Sequence, residues 1–253
     1  MTSVFGAFGS VQRGRQGPAA PADRRPRIDG IPVDRLPEIL AETRRGQRLR
    51  VTTVGEDVLA RPCREITEFG GATLRSLIDD MYATMACCHG VGLAANQIGV
   101  DLRLFVYDCD DAYGVRHVGH VINPVLEVRD RRSADRESDE EGCLSVPGPI
   151  AAVNRPSTAV VRGVDMYGKP VVVNGTGMLA RCLQHECDHL DGKLYIDHLN
   201  GRERRRVLKA METEKQDTWD RWEERALALG KTPAAELSPE PPNVEDCVTA
   251  SGQ

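Results

Sequence analysis

Two histidines four residues apart, His185 and His189, flank Glu186 in the stretch Gln184-His185-Glu186-Cys187-Asp188-His189. On a helix, residues at that spacing share one face, one turn apart. Two imidazoles so placed can hold one divalent metal, and the carboxylate beside the first can move protons for an attacking water. The competing reading is a surface helix that happens to carry two His. A hydrolytic metal site takes three protein ligands and keeps a fourth position open. The chain offers three sources for the third. It matches HExxHxxGxxH through Gly192 but carries Tyr195 where the last His would stand, so that pattern lacks a ligand. Glu203, Glu212 and Glu214 lie downstream, without a supporting pattern. Upstream, Cys143 offers a thiolate, and Gly142 beside it frees the backbone to approach a metal. Spacing permits the Glu and Cys choices and does not select between them.

The elements that must position these groups follow from patterning. Asn174 or Thr176 can cap a helix that runs to about Asp191, with Gly192 ending it. Before it, residues 159–165 and 171–174 read as a hairpin turning at Tyr167-Gly168-Lys169-Pro170. Residues 102–107 and 118–122 read as a second hairpin, with Asn123-Pro124 ending it and a short strand over 125–128. The charged run 129–140 reads as a solvated loop. Leu74, Leu77, Ile78, Met81 and Met85 keep three-and-four spacing, the core face of an amphipathic helix. Between Gly90 and Gly99 the small residues let the backbone pass close to another group. A phosphate loop needs a preceding strand and a Gly-Lys-Ser/Thr ending, and neither is present. Gln97 is the polar residue of this apolar run, which taken alone reads as a satisfied core amide. A long helix spans 201–230, with Leu208, Met211, Trp219, Trp222, Ala226 and Leu229 at helical spacing and Arg202, Arg204, Arg205, Arg206 and Lys209 at its start.

The 253 residues fit one domain with tails. We divide them into an N-terminal extension over 1–48, a catalytic domain over 49–200, the helix over 201–230 and a tail over 231–253. The extension is expected to be largely disordered, with a short helix over 33–45 and Pro37 in its first turn. Its Pro cluster spoils the amphipathic helix of a transit peptide. The tail, with Pro239, Pro241 and Pro242, is also expected to be disordered. A net charge of -5 argues against a strongly basic nucleic-acid binder. The eight Cys lack the density of a disulfide scaffold, and the N-terminus has no secretory apolar region. No run of 18 apolar residues occurs. Reduced thiols in a cytoplasmic protein are the expectation, with Cys187, Cys87 and Cys88 as buried packing.

Three segments, Gly90–Gln97 (GVGLAANQ), Glu141–Ser145 (EGCLS) and Gln184–His189 (QHECDH), resemble in order the three signature segments of the peptide deformylase family. The resemblance covers roughly Arg50 to Arg205. It implies an α+β fold, with antiparallel strands packed around a central metal-binding HExxH helix and a C-terminal helix. It implies that Cys143, His185 and His189 hold one divalent metal, usually ferrous iron in this family, with zinc, nickel or cobalt able to replace it. The implied reaction removes the N-formyl group from the N-terminal methionine of newly synthesised polypeptides and releases formate. Glu186 would move the proton, while the Gln97 amide and the Leu144 N–H would stabilise the oxyanion. Substrate would rest against Val91, Gly92, Glu141, Gly142, Met178, Arg181 and Cys182.

Members of the family usually carry an aliphatic residue at Arg181, which is expected to snorkel at the pocket rim. Ile150 stands where members often carry an Arg or Tyr that binds substrate backbone. Family members act on chains emerging from the ribosome, so the basic start of the last helix could contact its phosphates. The alternatives are a zinc metallopeptidase, and a deformylase-like interaction protein without turnover.

Overall fold

The structure is a computed structural model and describes residues 22–127 and 136–248. Its main sheet is built from β1 (Arg27–Ile28), β2 (Ile31–Pro32), β3 (Gly92–Ala94), β4 (Leu104–Asp110), β5 (Arg116–Glu127), β8 (Thr158–Val164) and β9 (Pro170–Thr176). The order runs β2-β1-β5-β4-β3, with β8 pairing β5 and β9 pairing β8. A second sheet is the hairpin of β6 (Arg136–Cys143) and β7 (Val146–Pro156). The pairs are antiparallel except β1 with β5, which is parallel.

Strand β5 is the corner of the main sheet. It pairs with β4 through Ile122 and with β8 from Ile122 through Glu127, with a register shift between Ile122 and Val125. The Asn123-Pro124 pair therefore bends the strand rather than ending it. Asn123 takes φ 49, a left-handed conformation that Asn tolerates better than most residues. Its amide is fixed by bonds to and from the Ile66 main chain at 2.9 and 2.8 Å. The bend curls the sheet around helix α3 (Gly177–Leu190), which packs against β3, β4, β8 and β9. Residues from Leu179 through Cys187 are all buried, as suits a helix enclosed by a sheet. Gly192 ends it at φ 75, and a Cβ there would meet the Arg61 backbone nitrogen at 2.6 Å. Only glycine satisfies both the turn and that approach.

The charged run behaves differently from the loop expected of it. Residues 136–143 form β6 and pair with β7 from Arg136↔Pro156 to Cys143↔Val146. Charged side chains survive in this strand because its outer face is solvated, and cross-strand pairing does not require apolar residues there. Residues 128–135 lie outside the described residues.

Helix α2 (Ala72–Cys87) buries the stripe of Leu74, Leu77, Ile78, Met81 and Met85. Helix α4 (Gly201–Ala228) is capped by Asn200, whose side chain accepts the Arg202 and Glu203 N–H groups, and it packs along β7. Residues 22–48 and 231–248 make more contacts than their composition suggests. Residues 27–28 pair with β5, and the expected helix over 33–45 shrinks to α1 (Ala41–Arg45), well past Pro37. Residues 231–248 wrap back onto α2, with Val244 and Cys247 entering the core around Leu74, Leu77 and Trp222. A few apolar anchors compensate for the Pro-rich composition between them. The expectations for 1–21 and 249–253 fall outside the described residues. All eight cysteines are free and buried. No helix among the described residues is long and apolar enough to cross a membrane.

Candidate metal centre

Three donor atoms converge at the heart of the fold. The Cys143 Sγ lies 3.2 Å from the His189 Nε2, which lies 3.2 Å from the His185 Nε2. All three atoms fall within 4.8 Å of one another. Tetrahedral coordination at ordinary metal–nitrogen and metal–sulfur lengths separates ligand atoms by about 3.3–3.6 Å, so the donors are nearly preset for one ion. The imidazoles come from consecutive turns of α3 and meet edge to face. The sulfur comes from the end of β6, where a register shift at Gly142 breaks the ladder between Glu141 and Cys143.

Burial holds two of these donors neutral. Burial pushes the Cys143 thiol up to about 12. Burial, then the charge of His185, holds the His189 imidazole well below its ordinary value. A buried thiolate and neutral imidazoles become favourable together when a divalent ion shares the space. The other sources of a third ligand do not reach it. Tyr195 stacks its ring on His185, and its hydroxyl donates to the Pro149 carbonyl at 2.9 Å. Glu203 accepts the Asn200 amide, Glu212 pairs with Lys215, and Glu214 lies over Gly148.

Behind the histidines stands a layer of buried ions. Glu141 is fully buried, and its Oε2 lies 3.1 Å from the His185 Nδ1. Arg155 donates to both Glu141 oxygens, at 2.8 and 3.0 Å, and to Asp188 at 2.6 Å. Arg181 donates to Glu141 at 2.7 Å and to the carbonyls of Val153 and Glu137. Two sequence expectations change here. Glu141, expected at the substrate wall, has both oxygens engaged inside the protein, by His185, Arg155 and Arg181. Arg181 does not snorkel to a rim, because its guanidinium turns inward to that carboxylate. Arg155 was missed altogether. Its signal was an Arg at an inward position of β7, where a buried guanidinium requires a carboxylate partner. Asn96, which donates to the His189 carbonyl at 2.6 Å, gave no separate signal.

Glu186 is buried beside the donors, and its Oε2 is unpartnered among the described residues. Burial, reinforced by the Glu141 charge, holds its carboxyl well above the usual carboxylate range. Gln97 is also buried. Its Oε1 accepts the Ala94 N–H at 2.9 Å, and its Nε2 points at Cys143 and Ser145, 3.5 and 3.4 Å away. Leu144 sits in the tight turn between β6 and β7, where the Ser145 N–H donates to the Cys143 sulfur. Gly92 lies so close to Glu186 that a Cβ there would meet its Oε1 at 2.3 Å. Cys182 is buried in the cluster of Phe105, Tyr107, Leu179 and Leu183, and Val91 and Met178 pack against that cluster. Ile150 is exposed on β7.

Sequence and structural comparisons bear on this constellation. The polypeptide deformylase family model matches residues 48–205. The chain belongs to the polypeptide deformylase family. Peptide deformylase 1 of Streptomyces avermitilis is 53% identical over 169 residues, covering 66% of this chain and 77% of the relative. The peptide deformylase of Mycolicibacterium paratuberculosis is 48% identical over 171 residues, covering 64% and 87%. Among solved structures, a peptide deformylase from Legionella pneumophila aligns with a TM-score of 0.58 at 36% identity, covering 66% of this chain and 94% of that one. One from Ehrlichia chaffeensis in complex with actinonin aligns with a TM-score of 0.58 at 33% identity, covering 66% and 97%. The polypeptide deformylase reaction is metal-dependent hydrolysis of the N-formyl group on the N-terminal methionine of a new polypeptide, with release of formate, and this chain is such a hydrolase. The metallopeptidase alternative loses its ligand at Tyr195, and the reading without turnover gives way to the family's reaction.

Proposed function

We propose that this deformylase works through Cys143, His185 and His189 as metal ligands, Glu186 as proton carrier, and Gln97 with the Leu144 N–H as oxyanion donors. The observation that carries the reading is the convergence of one sulfur and two imidazole nitrogens within 4.8 Å, with a buried carboxyl beside them. A divalent ion held there would supply a Lewis acid and make the attacking water more acidic. The Glu186 Oε2 takes a proton as water attacks the formyl carbon. The Gln97 Nε2 and the Leu144 N–H hold the oxygen on which charge develops. Glu186 then delivers the proton to the leaving amine nitrogen as the C–N bond breaks. Val91, Gly92, Gly142, Met178 and Cys182 form the wall against which the substrate rests.

The ion is taken to be ferrous iron on the family resemblance, with zinc, nickel or cobalt as replacements that a thiolate–imidazole donor set accepts. Metal analysis of protein purified without oxygen tests this. Formate release from a formyl-Met-Ala-Ser peptide, beside a Glu186→Ala variant, tests the site. Release by both proteins alike would remove Glu186 from its role.

The compartment is taken as the cytoplasm, where formylated chains emerge. Arg202, Arg204, Arg205, Arg206 and Lys209 are exposed at the start of α4 and present a cationic face suited to ribosomal phosphates. Reversing these charges should weaken co-sedimentation with ribosomes and leave turnover of a short formyl-peptide unchanged. Unchanged binding at moderate salt would overturn that part of the reading.

A further inference from the structure

We propose that Arg181 is a positioning residue for His185, acting through Glu141. The inference rests on the reading of Cys143, His185 and His189 as metal ligands. Arg181 lies one turn before His185 on α3 and is 6% exposed. Among the described residues, its bonds go to groups behind that histidine. Its Nη1 donates to the Glu141 Oε1 at 2.7 Å and to the Val153 carbonyl at 2.9 Å, and its Nη2 donates to the Glu137 carbonyl at 3.0 Å. The other Glu141 oxygen faces the His185 Nδ1. A carboxylate accepting at Nδ1 leaves the Nε2 lone pair aimed at the ligand cluster and fixes the ring plane.

The two arginines on Glu141 are not equivalent. Arg155 comes from β7 and divides its fork between Glu141 and Asp188. It braces Glu141, its neighbour within the hairpin, from the strand side and reaches α3 only beyond His185, at Asp188. Arg181 comes from the helix that carries His185, so it ties the same carboxylate to the frame of the ligand it must orient. Its bonds to Val153 and Glu137 clip that helix to both strands of the β6–β7 hairpin, which delivers Cys143. A buried guanidinium is costly unless fully paired, and an aliphatic side chain would fill the space more cheaply. The geometry assigns its return to ligand orientation.

The test uses the full chain loaded with cobalt, as wild type and as Arg181→Leu, Arg181→Gln and Arg181→Lys. Gln keeps a donor toward the carbonyls and removes the charge that faces Glu141. Cobalt release to an excess of chelator should be about tenfold faster in the Leu and Gln variants. Their cobalt–thiolate absorption should shift, and kcat should fall while KM for the formyl-peptide stays unchanged. Lys, which keeps the charge, should restore most of the retention. Wild-type release from whichever of the Leu and Gln variants folds would overturn the proposal. So would a raised KM with unchanged kcat, which would make Arg181 a substrate contact. A wild-type protein that takes up no cobalt, or a Cys143→Ser variant that retains it equally, would instead refute the ligand assignment.

Discussion

The side-chain nitrogen of Gln97 stands 3.5 Å from the sulfur of Cys143, while its side-chain oxygen accepts the Ala94 N–H. The second bond fixes which way the amide points, because only the oxygen can accept from a main-chain N–H. The donor is therefore aimed at the ligand cluster before substrate arrives. Replacing Gln97 with Ala should lower kcat by about 10²–10³, the usual loss for one oxyanion donor, with little change in KM. Formate release by metal-loaded protein checks this, and full turnover would assign the oxyanion to other groups.

Gly92 is the point where strand β3 crosses Glu186. A Cβ added there would meet the Glu186 Oε1 at 2.3 Å and the Cys182 Sγ at 2.8 Å. Neither contact is tolerable, and Glu186 is confined because it is buried on a helix. Gly92→Ala should cost about 1–3 kcal/mol of stability by overpacking and displace the carboxyl. Activity should fall by more than the folded fraction does, as read from formate release against urea unfolding. Adding Cys182→Ala would relieve only the sulfur contact and should not restore activity.

Much of the candidate ligand set was legible because it rests on local rules. His185 and His189 share a face through helical geometry, and the Gly192 stop was written in the chain. Their burial and convergence with Cys143, 42 residues upstream of His185, became visible only when the sheet curled. The ion layer was not legible. Glu141 pairs with Arg155 across a hairpin whose first strand read as a loop, since its charges masked its alternation. Arg181 read as a rim residue because a sequence gives the reach of a long side chain but not its direction. Residues 231–248 were illegible for a different reason. Composition measures what a segment can bury by itself, whereas Val244 and Cys247 are buried by a surface formed elsewhere.

Glu141 should also shape the response to acid. Burial alone would raise its carboxyl, but hydrogen bonds from His185 and Arg155, with their charges, outweigh it and hold the group far below the ordinary range. A carboxyl depressed in the folded state binds more protons when unfolded. Its stabilisation is present above about pH 4.3, the unfolded value, and is lost as pH falls toward the folded one. Urea midpoints should therefore drop steeply below about pH 4. Glu141→Gln should flatten that slope, and at neutral pH it should cost about 3–5 kcal/mol, because Arg155 and Arg181 lose their buried partner. An unchanged acid slope in the variant would show that other carboxylates set the transition.

The C-terminal segment should prove part of the folded unit. After α4, Lys231 donates to the carbonyls of Arg44 and Gly46, which ties the segment to the region around α1. Glu223 accepts both the Arg48 guanidinium and the Ala234 N–H, and Pro241 lies against Gly99 beside the Gln97 turn. The Cys247 carbonyl accepts the N–H groups of Thr67 and Glu68. Val244 and Cys247 fill the same cluster as Leu74, Leu77 and Trp222. Each buried apolar side chain contributes about 1.5–3 kcal/mol, so ending the chain at Gly230 removes about 3–6 kcal/mol from a domain whose total is of order 5–15. The truncated protein should still take up one metal, since no ligand is lost, but should unfold at a markedly lower urea concentration. Val244→Asp in the full chain should reproduce most of that loss, because an unpaired carboxylate cannot enter the cluster. A truncated chain as stable as the full one would make residues 231–248 a passenger on the fold.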